Sequence, residues 1–166
     1  MDGSPLITAI IPTYKRPQRL KKAIESVLNQ TFPLFEVWIF DNHSGDETEE
    51  VVWTFQKSDP RVHYCKHKVN IGAVANFNFG LKQVCTPFFS FLSDDDVLLP
   101  TFYETSLTVF KKFPQAGFVC GSVILANESG TVINVTTLSW KEREYYEPPD
   151  GLFEMIHIQN LLEEIF

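Results

Sequence analysis

Three adjacent carboxylates, Asp94, Asp95 and Asp96, are the residues of this chain best suited to chemistry. Side by side they repel one another, and burial without a partner would cost each its solvation. A cation in their midst offsets both costs. A hard divalent ion, Mn2+ or Mg2+, held by one or two carboxylates and by phosphate oxygens, suits such a group. The competing expectation is a solvated acidic turn ahead of a helix starting near Pro100, because acidic residues favour a helix N-terminus. The run before the triplet, Pro87-Phe88-Phe89-Ser90-Phe91-Leu92, is apolar and uncharged. It reads as a strand buried on both faces in the middle of a parallel sheet. The triplet then lies at that strand's carboxyl end.

The elements that must position the triplet alternate. Leu6 to Ile11 reads as a strand and ends in the polar, proline-flanked loop Pro12-Thr13-Tyr14-Lys15-Arg16-Pro17. Leu20, Ala23, Ile24, Val27 and Leu28 share one face of the helix that follows. Phe35 to Phe40 is a second strand, running into the turn Asp41-Asn42-His43-Ser44-Gly45-Asp46. A helix from about Glu47 turns Val51, Val52 and Phe55 inward, and Arg61 to Cys65 is a third strand. Asn70-Ile71-Gly72 opens a helix with Val74, Phe77, Leu81 and Val84 along its inner side. After Pro100 a helix carries Phe102, Val109, Phe110 and Phe113 inward. Gly117 to Leu125 and Thr131 to Leu138 then read as strands joined by the turn Asn127-Glu128-Ser129-Gly130. Such alternation predicts an α/β fold, a three-layer α/β/α sandwich with a mostly parallel central sheet and right-handed crossovers. Ligands bind outside the carboxyl ends of such strands. There the segments 12–16, 41–46 and 93–96 converge.

The 166 residues suffice for a real core, and 44% of them are apolar. Fourteen Lys and Arg against 21 Asp and Glu leave a net charge of -7, which argues against a nucleic-acid partner. A nucleotide remains compatible, since one metal ion neutralises a diphosphate locally. Cys65, Cys85 and Cys120 lack metal-ligand spacing and read as small buried hydrophobes in a reducing compartment. With no signal peptide at its start, the chain is expected in the cytoplasm.

Five pieces in order resemble the family 2 glycosyltransferases of the GT-A fold. They are Ile10-Ile11-Pro12-Thr13-Tyr14-Lys15-Arg16, the helix end Ser26-Val27-Leu28-Asn29-Gln30-Thr31, Phe40-Asp41-Asn42-His43-Ser44, Asn70-Ile71-Gly72 with Asn78 and Gly80, and Phe91-Leu92-Ser93-Asp94-Asp95-Asp96 with Pro100. The resemblance implies a metal-dependent, inverting transferase that takes a UDP-, dTDP- or GDP-linked sugar and passes it to a glycan or lipid-linked acceptor, in cell-surface glycan synthesis. It implies that Pro12, Thr13, Tyr14 and Arg16, then Asp41, then Asn70, Gly72 and Asn78, and finally Asp94 bind the donor. Thr13 and Tyr14 would meet base and ribose, and Asp41 would accept a hydrogen bond from the base. Asp95, with Asp96 next, would hold Mn2+ or Mg2+.

Two positions depart from the family pattern. Asn42 stands where many relatives have a second Asp, and Phe77 stands where many have an Arg. Lys15 or Arg16 is then the candidate source of positive charge for phosphate. His63 and His67 lie on or after a strand, where a spacing of four does not put them on one face, so they do not read as metal ligands. There is neither a Gly-x-Gly-x-x-Gly run nor a phosphate-binding Gly-Lys-Ser/Thr loop. A doubly wound phosphotransfer domain would carry its key Asp at the end of the first strand, where this chain has Pro12-Thr13. A non-catalytic module that binds a nucleotide or nucleotide-sugar is the remaining alternative.

Residues 1–139 are expected to form the nucleotide-sugar-binding domain, and 140–166 the start of an acceptor-side region. An inverting transferase needs a general base near the acceptor hydroxyl. The resemblance places that base further along than this chain reaches, with Asp150 the candidate inside it. The apolar end Ile165-Phe166 suggests a longer natural protein, whose further segments could attach it peripherally to the inner face of a membrane.

Overall fold

A computed structural model describes residues 3–127 and 129–136. By its internal contacts the chain divides into two compact units, residues 1–104 and 105–166. The domain boundary expected at 139 falls outside the described residues.

The first unit holds a four-stranded parallel sheet in the order β3-β2-β1-β4. Its strands are β1 (Ile7–Thr13), β2 (Phe35–Asp41), β3 (Val62–Lys66) and β4 (Phe88–Phe91). The connecting helices are α1 (Pro17–Leu28), α2 (Thr48–Ser58) and α3 (Ala73–Lys82). The mostly parallel sheet with flanking helices is the α/β architecture that the alternation predicts. Right-handed crossovers put α1 and α2 on one face, and α3, which returns from β3 across β2 and β1, on the other. α1 and α2 pack against each other, and α3 lies on β1 and β2.

The centre of the sheet is not where the aromatic run suggests. Every residue of β1 is buried, as expected of a parallel strand paired on both sides. β4 pairs only with β1 and forms the sheet's edge among the described residues. Its Phe89 and Phe91 are 48% and 42% exposed. An uncharged aromatic run marks a strand, but a neighbour is what covers its second face. The acidic triplet therefore follows an edge strand, not a central one.

α1 follows its sequence pattern: Leu20, Ala23, Ile24 and Val27 are fully buried, and Pro17 sits at the first helical position, where no amide bond is lost. α3 does not. Val74, Phe77 and Leu81 are exposed, while Asn76 and Gly80 are buried. A Cβ on Gly80 would lie 2.8 Å from Ile10 Cγ2 and 2.9 Å from Phe40 Cδ2. The helix thus sits on the sheet through a glycine and an asparagine. Close approach of backbone to sheet, not side-chain hydrophobicity, selects that face.

α4 (Phe102–Lys112) starts in the first unit, where Tyr103 is buried, meets Phe35 edge-on and shares a hydrogen bond with Ser90. The second unit continues α4 and holds an antiparallel hairpin, β5 (Val123–Ala126) with β6 (Val132–Thr136). The strand expected from Gly117 starts only at Val123, the first residue with a partner. Asn127 organises the turn: its Oδ1 accepts from the Ser129 amide and hydroxyl and from the Thr131 amide. The expected burial of the cysteines is corrected as well, for Cys85 and Cys120 are exposed and Cys65 half-buried. Among the described residues no helix is long and apolar enough to cross a membrane.

Candidate functional site

The carboxyl ends of β1, β2 and β4 are joined by side-chain hydrogen bonds. From β1, the Thr13 hydroxyl donates to Asp94 Oδ2 at 2.7 Å, a bond buried at both ends. The Asn42 amide after β2 donates to the Thr13 carbonyl at 2.9 Å. The Lys15 amide donates to Ser44 Oγ at 2.9 Å. The three polar segments that parallel topology should bring together are thus held together at named atoms.

Arg16 supplies the positive charge of the acidic cluster. Its Nη1 lies 3.1 Å from Asp94 Oδ1 and 2.9 Å from Asp95 Oδ2. Arg19, one turn into α1, brings a second guanidinium to 3.6 Å from Asp95. The triplet, with no basic residue next to it in the chain, thus gains two guanidiniums by folding. They come from the loop after β1 and the first turn of α1, almost 80 positions earlier, where chain proximity does not show them. The sequence expectation that a cation must sit there is met, in this structure, by arginine.

The three carboxylates differ. Asp94 is buried between Thr13 and Arg16. The Ser93 hydroxyl, then Arg16 and Arg19, hold the Asp95 carboxyl below the usual carboxylate range. Burial, then the charges of Asp95 and Asp94, push Asp96 up. Among the described residues the Asp96 carboxylate has no hydrogen-bond or ion-pair partner. No three His, Cys, Asp or Glu side chains converge on one point among the described residues. A metal here would thus take one or two carboxylates and complete its shell from a ligand, the usual arrangement for Mg2+ with phosphate.

Asp41, at the end of β2, is 1% exposed. Its Oδ1 accepts from the Ser44 amide at 2.9 Å and from the Ser44 hydroxyl at 2.6 Å. Its Oδ2 accepts from the Tyr64 hydroxyl at 2.6 Å. Burial and the Asp41 charge push the Tyr64 hydroxyl well above its ordinary value, so it stays a donor. Three of about four acceptor directions on this carboxylate serve the protein. In this structure Asp41 shapes its own loop, with Ser44 and Tyr64 as partners.

The third segment closes on the second. Asn42 donates to Asn70 Oδ1 and accepts from the Ile71 amide, and the Gly72 amide also donates to Asn70 Oδ1. Gly72 has φ +85°, a conformation open to glycine at little cost. Asn42 is therefore a structural tie between two loops, which gives the departure from the family pattern a role. Asn78 is not brought to this group. It stands two residues past buried Asn76, about 200° round the helix, and is exposed. Pro12 is buried at the end of β1, and Tyr14 is 40% exposed with Lys15 Nζ 5.2 Å from its ring centre. Asp150 lies outside the described residues.

Sequence reasoning missed Asn76, Tyr64, Ser44 and Arg19. Asn76 donates to the Phe40 carbonyl at 2.8 Å, and its Oδ1 meets His67 Nε2 at 2.8 Å. His63 instead stacks on Trp38, 4.6 Å between ring centres. The one available signal for Asn76 was its spacing of four from Gly80, which puts both on one helical face.

Known proteins resemble this chain in sequence and in fold. The sequence model described as Glycosyl transferase family 2 matches residues 8–160. The GalNAc(5)-diNAcBac-PP-undecaprenol beta-1,3-glucosyltransferase of Campylobacter jejuni is 41% identical over 96 residues, which are 57% of this chain and 31% of that protein. An uncharacterized glycosyltransferase of Rickettsia prowazekii is 30% identical over 156 residues, 93% of this chain and 47% of that protein. Among solved structures, Staphylococcus aureus TarS 1-349 in complex with UDP matches with a TM-score of 0.61 at 23% identity, over 72% of this chain and 34% of that one. The mannosyltransferase PcManGT from Pyrobaculum calidifontis, in complex with GDP-Man and Mn2+, matches with a TM-score of 0.58 at 19% identity, over 75% of this chain and 36% of that one. Likeness at those identities shows a shared fold. The chain spans less than half the length of each of these relatives.

Proposed function

We propose, because the chain belongs to glycosyl transferase family 2, that it carries the donor-binding part of a glycosyltransferase and takes a nucleotide-diphosphate sugar at the carboxyl ends of β1, β2 and β4. The observation that carries this reading is the bonded convergence of Thr13, Arg16, Asp94 and Asp95 from opposite ends of the first hundred residues. It puts carboxylates and a guanidinium at one sheet edge, the combination needed to bind a metal and a diphosphate together.

Asp95 and Asp96 would hold Mn2+ or Mg2+, and the Asp96 carboxylate, unpartnered among the described residues, is the one left open for a cation. A divalent ion supplies Lewis acidity toward a leaving diphosphate. Thr13, Tyr14, Asn70 and Gly72 border the same edge and would face the nucleoside. Asp41 would then meet the base only through its one remaining acceptor direction. Transfer to an acceptor hydroxyl, with inversion, needs a general base that Asp150 or a residue of a longer chain would provide. A relative's name specifies a lipid-linked acceptor, which supports a glycan or lipid-linked acceptor here; transfer would then run at the cytoplasmic face of a membrane.

The test is titration calorimetry of UDP, dTDP and GDP, each with Mn2+ and with EDTA, on the wild type and on Asp95→Ala. One nucleotide should bind with Mn2+ and lose about tenfold or more in affinity in EDTA. Asp95→Ala should abolish that difference. Equal affinity with and without the ion sinks the metal role. No binding of any nucleotide sinks the donor reading.

A further inference from the structure

The ion pair that neutralises the acidic cluster is lopsided. Asp94 is fixed: its side chain is 7% exposed and its Oδ2 is held by Thr13 at 2.7 Å. Arg16 is not, for its side chain is 49% exposed. One nitrogen, Nη1, makes both contacts, at 3.1 Å to Asp94 and 2.9 Å to Asp95. Among the described residues Nη2 and Nε make no hydrogen bond, so most of the guanidinium fork is uncommitted. The preceding residue, Lys15, has φ +54°, a left-handed conformation that a lysine adopts at a cost. Its amide is pinned to Ser44 Oγ. The backbone that aims Arg16 at the cluster is therefore held in place from the β2 loop, while the guanidinium itself is half-exposed to solvent.

We propose that Arg16 is an exchangeable counter-ion, handed from Asp94 and Asp95 to the donor diphosphate when a divalent ion takes over at Asp95, so that metal and nucleotide bind with positive coupling through this one side chain. The inference rests on the donor-site reading above and adds the rule by which the site fills. A metal ion and Nη1 both require Asp95 Oδ2. A metal arriving alone must displace Nη1 from Asp95 Oδ2 and leave it with Asp94 alone. A diphosphate arriving alone meets carboxylates that repel it, and while Nη1 stays on them Arg16 offers phosphate only Nη2 and Nε. When both arrive, the metal neutralises the carboxylates and the freed fork meets phosphate bidentately. Each ligand removes the other's cost, and by linkage the coupling is the same in both directions.

The experiment follows free Mn2+ by electron paramagnetic resonance while the chain is titrated, with and without UDP, in the wild type, Arg16→Gln and Arg16→Lys. In the wild type UDP should tighten Mn2+ binding by about fivefold or more. In Arg16→Gln, Mn2+ alone should bind more tightly than in the wild type, because the 2.9 Å contact to Asp95 Oδ2 is gone and only the longer 3.6 Å contact from Arg19 remains. The enhancement by UDP should shrink toward one. Arg16→Lys keeps a charge beside buried Asp94, which preserves the fold if the glutamine variant loses it. A point charge cannot grip phosphate bidentately, so there too the enhancement falls. The proposal is overturned if Arg16→Gln weakens Mn2+ binding in the absence of UDP, or if either variant keeps the full wild-type enhancement. Failure of the wild type to bind UDP, dTDP or GDP at any Mn2+ concentration would overturn the donor reading as well. UDP binding with unaltered coupling in the variants would overturn the handover alone.

Discussion

Gly80→Ala opposes two well-understood effects at one atom. Alanine is the better helix former by about 1 kcal/mol, which would stabilise α3. Its Cβ, however, would sit 2.8 Å from Ile10 Cγ2 and 2.9 and 3.0 Å from the Phe40 ring carbons. Carbon atoms pack best at about 3.5–4.0 Å. Ile10 and Phe40 are 0% and 1% exposed, in the two strands that have neighbours on both sides. They cannot retreat, so the helix must. Its retreat stretches the bonds that Asn76 makes to the Phe40 carbonyl and to His67. Overpacking of this kind costs about 1–3 kcal/mol, and weakening a buried hydrogen bond adds about 1 more. The clash wins, and the net destabilisation is about 1–3 kcal/mol after the helix gain is taken off. Urea unfolding followed by circular dichroism measures it, and in thermal unfolding the midpoint temperature should drop by about 2–12 °C. In a Phe40→Leu background the same Gly80→Ala change should cost less, because the ring edge is gone. If Gly80→Ala leaves the stability unchanged or raises it, the close approach of α3 to the sheet is not what makes this position glycine.

Two neighbouring carboxylates should respond with opposite signs. The Asp95 carboxyl is held below its ordinary value of 3.8, so its stabilising contribution is present above that pH and is lost as pH falls through the lower folded value. Asp96 is raised from 3.8, so its favourable contribution is full below that pH and is lost as pH rises through the higher folded value. At neutral pH in EDTA, Asp95→Asn should therefore lower the midpoint temperature and Asp96→Asn should raise it. Thermal unfolding that moves both the same way would refute this assignment. Tyr64→Phe removes the 2.6 Å bond to the buried Asp41 carboxylate and should cost about 1.5–3 kcal/mol in urea unfolding, the range for bonds to charged groups. An unchanged stability would mean that Asp41 does not depend on Tyr64.

Much of the architecture was legible because it is written in periodicity. The α1 stripe of Leu20, Ala23, Ile24 and Val27 is buried as its spacing predicts, and the strand-helix alternation is the parallel sheet observed. Two errors share one physical cause. The β4 aromatics and the α3 residues Val74, Phe77 and Leu81 were taken inward because they are apolar, yet they are exposed. Apolarity does not by itself supply a covering neighbour. What α3 buries is a glycine and a hydrogen-bonded asparagine, and no hydrophobic pattern marks those. The acidic cluster shows the same division. That the triplet needs a positive charge follows from Coulomb repulsion within three consecutive residues. Which charge answers it depends on Arg16, 78 and 79 positions from its partners, and only the folded chain brings it there.

The bonds of the site also form one continuous series, running from the far face of the sheet to the carboxylates. Gly80 lets α3 approach until Asn76 reaches the Phe40 carbonyl and His67. The His67 amide donates to the Asp41 carbonyl, and the Asp41 carboxylate gathers Ser44 and Tyr64. Ser44 Oγ holds the Lys15 amide, and Lys15, at φ +54°, aims Arg16 at Asp94 and Asp95. A left-handed lysine costs about 1–3 kcal/mol and persists only where its surroundings over-determine it. Ser44 is one such constraint, and Ser44 is itself fixed by Asp41. The buried polar groups of this chain, Asn76 and Asp41 foremost, therefore hold in place the loop on which the exposed guanidinium is carried. A buried, bonded base carrying one exposed cation is the arrangement that an exchange of counter-ions requires, because the carboxylates must keep their positions while the arginine leaves them.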